Sequence, residues 1–165
     1  MRVILDTNVF ISGVFFGGPP SRILEGWRDG RLKLVLSPEI LDEYQRVADE
    51  LHTQFPDIDL SGLFELLIVA AEMHHAEPLP EAVCIDPDDD KFLACASEGR
   101  ADYLISSDAD LLDMQWYLET AIVNPGQFLL ILEMSALEAD AISARYQRSV
   151  LERVLAGVSL QPDLA

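Results

Sequence analysis

Short apolar runs alternate with longer segments of helical periodicity along most of this chain. The apolar runs predict buried strands at residues 3–5, 32–36, 103–105 and 121–123. Apolar residues that recur three or four positions apart predict helices at residues 21–29, 37–51, 60–71 and 91–98. Because strands that alternate with helices are typical of parallel sheets, the pattern predicts an α/β fold with a mostly parallel central sheet.

The C-terminal part of the chain is predicted to be a helical extension. An apolar helix runs through Leu132, a further helix is predicted at residues 134–157, and residues 159–165 are expected to be a frayed tail. We therefore expect a core domain at residues 1–133 and an extension at residues 134–165. The extension either closes the core or contacts a partner.

The composition suits a single domain and is strongly acidic. The chain has 165 residues, half of them hydrophobic, which suits one domain with a substantial core and excludes intrinsic disorder. It carries 29 acidic and 11 basic residues, a formal net charge of −18. Because proteins that bind nucleic acid usually present a basic face, either some of these acids take part in metal chemistry or the substrate is not a polyanion.

The sequence predicts neither a secretory signal nor a membrane span. The N-terminus turns acidic at Asp6, and the apolar runs are shorter than the ~18 residues that a span needs. Cys84 and Cys95 are the only cysteines in the chain, and both are expected to be reduced. We therefore expect a cytoplasmic protein without membrane contact.

Acidic side chains follow two of the predicted strands at the point where each strand ends. Asp6 comes directly after the strand at 3–5, and Asp108 and Asp110 follow the strand at 103–105. Because ligands of parallel α/β sheets bind beyond the carboxyl ends of the strands, we expect these side chains at one edge of the sheet.

Other acidic residues are expected to face the same edge. Asp89 and Asp90 open the helix at 91–98, and Glu43 lies at the boundary between the apolar stripe of its helix and solvent. Converging carboxylates repel one another without a cation, and Mg²⁺ and Mn²⁺ prefer such oxygen ligands. A bound cation also activates water and neutralises charge on a phosphate. The pattern therefore favours a metal-dependent hydrolytic site, although each acid alone is compatible with a turn or a helix cap.

Four segments of the chain together resemble the motifs of PIN domains. They are residues 4–9 (ILDTNV), 36–44 (LSPEILDEY), 86–96 (DPDDDKFLACA) and 101–111 (ADYLISSDADL). Each segment is short, but all four occur in the order that the family shows, and the resemblance extends over residues 2 to about 130. Among PIN domains, the chain resembles in particular the toxins of toxin–antitoxin pairs.

The resemblance implies a three-layer α/β/α sandwich that hydrolyses RNA with water activated by Mg²⁺ or Mn²⁺. By motif position, the acidic quartet would be Asp6, Glu43, Asp90 and Asp108. Three of them, Asp6, Asp90 and Asp108, would hold the cation, and Glu43 would bind it through water or orient the nucleophile. The run of three acids at 88–90 leaves the third ligand open. Substitute ligands would be Asp89 and Asp110.

The resemblance also implies contacts with substrate and partners. Asn8 and Ser106 match polar positions that support the site, and Lys91 and Arg46 are among the few cations expected to contact RNA. In toxin–antitoxin pairs of this kind, an antitoxin protein commonly blocks the acidic pocket. Family members also often form homodimers, so both partners are expected here.

Two rival enzyme and binding classes fit the sequence less well. A phosphatase of the haloacid-dehalogenase type needs an aspartate two residues after Asp6, where this chain has Asn8. A calcium loop that starts at Asp86 needs glycine and glutamate where Lys91 and Ser97 stand. The alternative that stays open is a PIN-like domain that binds RNA or a protein without cleaving it, although all four acidic positions are filled.

Overall fold

The computed structural model describes residues 1–155 and confirms the predicted α/β fold class. Within these residues there are six strands and seven α-helices. The strands are β1 (Arg2–Leu5), β2 (Lys33–Leu36), β3 (Glu72–Met73), β4 (Tyr103–Ile105), β5 (Trp116–Tyr117) and β6 (Thr120–Val123). The helices are α1 (Thr7–Phe15), α2 (Pro19–Arg28), α3 (Pro38–His52), α4 (Leu60–Ala70), α5 (Asp90–Glu98), α6 (Ala109–Met114) and α7 (Pro125–Leu155). The predicted tail at 159–165 lies outside the described residues.

The strands form one mostly parallel sheet with the order β3-β2-β1-β4-β6-β5, in which β5 alone is antiparallel to its neighbour. From β1 the chain first adds β2 and β3 on one side, and β4 then pairs with the other side of β1. The direction of winding therefore reverses between β1 and β4. In open parallel sheets, this reversal leaves the crevice in which ligands bind.

The two strands at this crevice are buried on both faces. Ile4, Leu5, Leu104 and Ile105 are at most 1% exposed, and Leu5 pairs with Ile105. Consecutive apolar residues of this kind are typical of central strands in a parallel sheet with both faces covered. The residues that follow the two strands are thus brought side by side.

Tyr44 holds α3 against β1. Its ring is fully buried and stacks on Phe10, with 4.0 Å between the ring centroids, and its hydroxyl donates a hydrogen bond to the carbonyl oxygen of Leu5. The burial that desolvates this hydroxyl also raises its pKa well above the usual range. The contact places the preceding residue, Glu43, near the end of β1.

Tyr44→Phe is expected to lower the free energy of unfolding by about 1–2 kcal/mol, because a buried carbonyl loses its donor while the packing is kept. Urea unfolding measures the change. The matched control is Tyr146→Phe, which removes a hydroxyl from an exposed tyrosine and should leave the midpoint unchanged. Equal effects of the two substitutions would contradict the assigned hydrogen bond.

Several elements differ from the sequence predictions. The segment after β1 has apolar residues on nearly every side and therefore shows no clear periodicity, yet it folds as α1. The strands β3 and β5 have two residues each, too few for a pattern. The predicted helix through Leu132 and the one from 134 are a single helix, α7, because no glycine or proline separates them.

The chain divides into two units, at residues 1–129 and 130–165. The first unit contains the sheet, and the second consists of the remainder of α7 as far as the structure describes it. The predicted domain boundary at 133/134 stays a prediction. In the described part of the chain, no helix combines the length and apolarity that crossing a membrane requires.

Candidate functional site

The carboxylate of Asp6 connects the ends of the two central strands. One oxygen accepts a hydrogen bond from the backbone N–H of Val9 at 2.7 Å and so caps α1. The other oxygen accepts hydrogen bonds from the hydroxyl of Ser106 and from the backbone N–H of Ser107, the latter at 3.2 Å. Asp6 is therefore held at the crevice between β1 and β4, at the edge of the sheet where a residue that directly follows a parallel strand was expected.

Asp6 is a buried acid with an unfavourable charge balance. It is 4% exposed, and burial raises its pKa, while the hydrogen bonds from Ser106, Val9 and Ser107 lower it and the nearby charge of Asp108 raises it again. The net shift is upward. A buried, ionised carboxylate beside a second acid is stabilised by a cation, so this position suits a metal ligand.

Asp108 lies next to Asp6 at the end of β4. Its backbone N–H donates to the hydroxyl oxygen of Ser106 at 2.9 Å, and that hydroxyl donates in turn to Asp6. One oxygen of Asp108 caps α6 by accepting the backbone N–H groups of Asp110 and Leu111 at 2.9 and 3.2 Å. Ser106 therefore links the two acids, and Asp110 lies exposed in the first turn of α6.

Asp89 lies in the field of this pair. It ends a 3₁₀ turn at Pro87–Asp89 that leads into α5. Its pKa is raised to about 6, first by burial and then by the negative charges of Asp86, Asp108 and Asp6, with a smaller opposing effect of Lys91. The fold thus brings three acids together from β1, β4 and the entry to α5.

Asp90 is oriented differently from Asp89. Its carboxylate accepts the backbone N–H of Cys84 at 2.7 Å and that of Val83 at 3.1 and 3.2 Å. Burial raises the pKa of Asp90, but these hydrogen bonds outweigh it and lower the pKa below its usual value. Asp90, the third acid by motif position, therefore anchors the preceding loop. Asp89 is instead the acid whose pKa is raised by the negative charges of Asp6 and Asp108.

Both oxygens of Glu43 are engaged. The hydroxyl of Thr7 donates to one oxygen at 2.5 Å, and the ammonium group of Lys91 forms an ion pair with the other. The side chains of Glu43 and Lys91 are 22% and 24% exposed, so the pair is partly shielded from solvent. Lys91, predicted to contact RNA, thus neutralises Glu43, and the contact joins α1, α3 and α5.

Thr7 is a residue of the site to which the sequence assigned no role beyond being a polar neighbour of Asp6 in the motif at 4–9. The structure buries it directly after Asp6, in the first turn of α1. The signal available in the sequence was a polar residue between an acid and an apolar helix, but its partner on α3 could not be read from spacing.

Two other predicted residues lie at the surface. Asn8 is exposed on α1, and Arg46 forms an exposed ion pair with Glu50 at 3.2 Å.

A cavity of about 440 Å³ adjoins this set of residues. Its walls come from the starts of α3 and α5 and from the loop at 76–87 that Asp90 anchors. Asp88, Asp90 and Lys91 line it together with Pro78 and Leu79, whereas Asp6 and Asp108 do not. It offers a partly apolar space next to Lys91.

The donor atoms suit a hard cation, although they do not converge in their present rotamers. Among residues 1–155, no group of three or more acidic, histidine or cysteine side chains is arranged to hold a metal ion. One oxygen of Asp108 is occupied as a helix cap, and those of Asp90 by loop amides. Asp6, Asp89 and Asp108 nevertheless supply only oxygen ligands and repel one another, which fits Mg²⁺ or Mn²⁺.

The raised pKa of Asp89 predicts a pH dependence of stability. Because its pKa in the folded protein lies above the unfolded value, the neutral form favours folding at low pH. This contribution is lost as the pH rises from about 4 through about 6. Metal-free protein should therefore show a smaller fall in unfolding free energy over this range when Asp89→Asn is introduced. An identical slope in both proteins, measured by urea unfolding at several pH values, would contradict the assignment.

Comparison with known proteins adds one match. A family model described as PIN domain matches residues 2–110, well over half of the chain. The matched segment includes β1 to β4 and every acid discussed above, and it ends before β5, β6 and α7. No curated protein and no solved structure matches the chain.

Proposed function

Because the chain belongs to the PIN domain family, whose members are generally nucleases, we propose that it is a metal-dependent endoribonuclease. The observation that carries the proposal is the set of three mutually repelling acids, Asp6, Asp89 and Asp108, at the reversal between β1 and β4. Carboxylates that repel one another at a ligand-binding crevice are stabilised when a cation binds between them.

In the proposed mechanism, Asp6, Asp89 and Asp108 would hold Mg²⁺ or Mn²⁺. The cation, when bound, supplies a water of lowered pKa and neutralises charge on the phosphate. Ser106 keeps Asp6 oriented and steadies the backbone at Asp108. Asp90 and Asp110 remain as further candidate ligands, but Asp90 would have to release the amides of Val83 and Cys84 first.

Glu43 has a different proposed role. Thr7 and Lys91 occupy its two oxygens, so direct coordination would break one of these contacts. We assign it to orienting the attacking water, with Lys91 able to move from Glu43 to a phosphate oxygen of RNA. Contacts of Asn8 and Arg46 with the substrate remain part of the proposal, and Arg46 would have to leave its exposed ion pair with Glu50 to make one.

The net charge of −18 constrains how RNA is bound. A polyanion is repelled by such a protein, and a cation at the acidic crevice offsets the repulsion where the phosphate must lie. Binding of RNA is therefore expected to depend on metal and to weaken as salt increases.

Cleavage of a mixed RNA pool tests the proposed activity. With Mn²⁺, we expect cleavage that EDTA abolishes and that excess Mn²⁺ restores. Cleavage that persists in EDTA would contradict the metal mechanism. A folded protein that binds RNA but leaves it intact under all metal conditions would instead favour the silent binding module.

We also propose that the chain is the cytoplasmic toxin of a toxin–antitoxin pair, which rests on the motif resemblance at residues 4–9, 36–44, 86–96 and 101–111. The acidic crevice suits an antitoxin that inserts a basic side chain. Induced expression in a bacterium should stop growth, and Asp6→Asn should remove the effect. Unimpaired growth with a soluble, nuclease-active chain would contradict the toxin role.

A further inference from the structure

The cavity next to Lys91 is lined by two acidic side chains that have no partner in the described part of the chain. Its volume of about 440 Å³ lies within the range of pockets that bind small ligands, about 300–1,000 Å³. Glu39 lines it from the first turn of α3, and Asp88 lines it from the 3₁₀ turn before α5. Both residues are exposed, and within residues 1–155 neither carboxylate makes a hydrogen bond or an ion pair.

The free carboxylates restrict the chemistry of a ligand in this cavity. An ionised carboxylate accepts hydrogen bonds and donates none, so the ligand must present donors. A third acid of the lining, Asp90, has both oxygens engaged by the backbone N–H groups of Val83 and Cys84. The donors of a ligand therefore meet Glu39 or Asp88. Two adjacent donors that match the two oxygens of one carboxylate give a bidentate, charge-assisted pair, which is the strongest contact of this kind.

The other walls of the cavity suit a flat ring that carries a phosphate. Pro78, Leu79 and Pro87 are apolar, and such side chains pack against the faces of a ring whose edges meet polar groups. Lys91 adds an ammonium group to the same lining and is ion-paired with Glu43 at the proposed reaction centre. An ammonium group attracts phosphate and disfavours a cationic guest such as an arginine side chain. A nucleotide of the RNA combines all the required features.

The pattern of donors on the base edge distinguishes guanine from the other RNA bases. On its Watson–Crick edge, guanine presents the N1–H and the N2 amino group side by side, so that a carboxylate accepts from both. Adenine and cytosine each place a ring nitrogen that is an acceptor beside the amino group. Uracil has a single N–H with a carbonyl oxygen on either side. A carboxylate therefore pairs through both oxygens with guanine and is repelled by an acceptor of the other three bases.

We propose that this cavity binds an unpaired guanine of the RNA and so directs cleavage to sites beside a guanine. Glu39 accepts the two donors of the base. It is assigned this contact because it lies on a helix of 15 residues whose first turn is capped by Ser37, whereas Asp88 lies in a turn of three residues. Lys91 then lies between the bound nucleotide and Glu43. The selectivity of cleavage rests on the proposed nuclease activity, but the binding of guanine does not.

Titration of nucleoside 5′-monophosphates into the full chain in EDTA tests guanine binding without any cleavage. Backbone N–H signals of Ala76, Leu79 and Ala94, which line the cavity, report the binding in NMR spectra. The guanine nucleotide should shift them with a Kd at least about fivefold lower than the adenine, cytosine and uracil nucleotides, the lower end for one bidentate contact to a base edge. Inosine 5′-monophosphate, which keeps the N1–H but lacks the amino group, should bind more weakly than the guanine nucleotide.

Glu39→Gln is the matched variant for the base contact. The amide keeps the size of the side chain but places a donor where guanine also has a donor, so the preference for the guanine nucleotide should fall below about twofold. Glu25→Gln makes the same exchange at an exposed position on α2 and should leave the preference unchanged. Circular dichroism and thermal unfolding confirm that both variants are folded.

Sequencing the ends of the products from a random RNA pool tests whether the cavity directs cleavage. With Mn²⁺, the wild-type chain should cut where guanine occupies one fixed position beside the cut, and Glu39→Gln should lose this bias. Cleavage of RNA without any guanine bias would overturn the inference and leave the nuclease proposal intact. Guanine-selective binding by a folded chain that never cleaves RNA would do the reverse.

Three results of the titration would overturn the guanine site. They are equal shifts with all four nucleotides, a preference for guanine that survives in Glu39→Gln, and a preference that is lost in Asp88→Asn but not in Glu39→Gln, which contradicts the role of Glu39. Arginine amide is the probe for a basic side chain of a protein partner. If it shifts the signals of the lining while the guanine nucleotide does not, the cavity belongs to such a partner.

Discussion

Asp6→Asn is expected to reduce the rate of RNA cleavage by at least about a hundredfold, the scale of removing one group that stabilises charge in a transition state. The substitution keeps the shape of the side chain and one acceptor for the backbone N–H of Val9. It removes the negative charge that the cation needs as a ligand. Initial rates with Mn²⁺ measure the loss.

The stability of the same variant distinguishes a lost ligand from a damaged fold. Because burial and Asp108 make the ionised form of Asp6 costly, metal-free Asp6→Asn should be at least as stable as wild type near neutral pH. The matched control is Asp49→Asn at an exposed position on α3, which should change neither rate nor stability. Full activity of Asp6→Asn, or loss of activity with loss of folding, would contradict the role assigned to Asp6.

The second large effect concerns Asp89 and Asp90, which are adjacent in the chain but are expected to have different roles. Asp89→Asn is expected to weaken Mn²⁺ binding at least about tenfold, since one charged ligand is lost. Asp90→Asn should largely keep the affinity for Mn²⁺, because its carboxylate holds loop amides instead. It should instead speed hydrogen exchange at the backbone N–H groups of Val83 and Cys84.

The two variants are a matched pair, because each replaces one carboxylate by an amide and the two residues are consecutive. Both are measured by Mn²⁺ titration and by hydrogen exchange. The opposite outcome, in which Asp90→Asn loses the metal and Asp89→Asn keeps it, would restore the assignment made from motif position. It would also mean that the loop releases Asp90 when a cation binds.

The sequence predicted the part of the site that lies at the carboxyl ends of the strands. Residues that end parallel strands meet at one edge of the sheet, and in the structure β1 and β4 are neighbours. For this reason the positions of Asp6, Ser106 and Asp108 were predictable. The α/β fold class followed from the same alternation of strands and helices.

Contacts between helices were not predictable in the same way. The ion pair of Glu43 with Lys91 depends on how α3 and α5 pack, which no local pattern specifies. The difference between Asp89 and Asp90 depends on a single 3₁₀ turn, and a one-residue shift there changes which acid faces the crevice. Motif position alone therefore identified the segment but did not determine which of its acids faces the crevice.

Calorimetric titration of Mn²⁺ into the wild-type chain shows whether these carboxylates form a cation site. We expect saturable binding that is lost in Asp6→Asn and that strengthens between about pH 5 and pH 7, because the pKa of Asp89 is raised to about 6 and protons therefore compete with the metal in this range. Absence of binding by the folded wild-type chain, or equal binding by Asp6→Asn, would contradict this expectation.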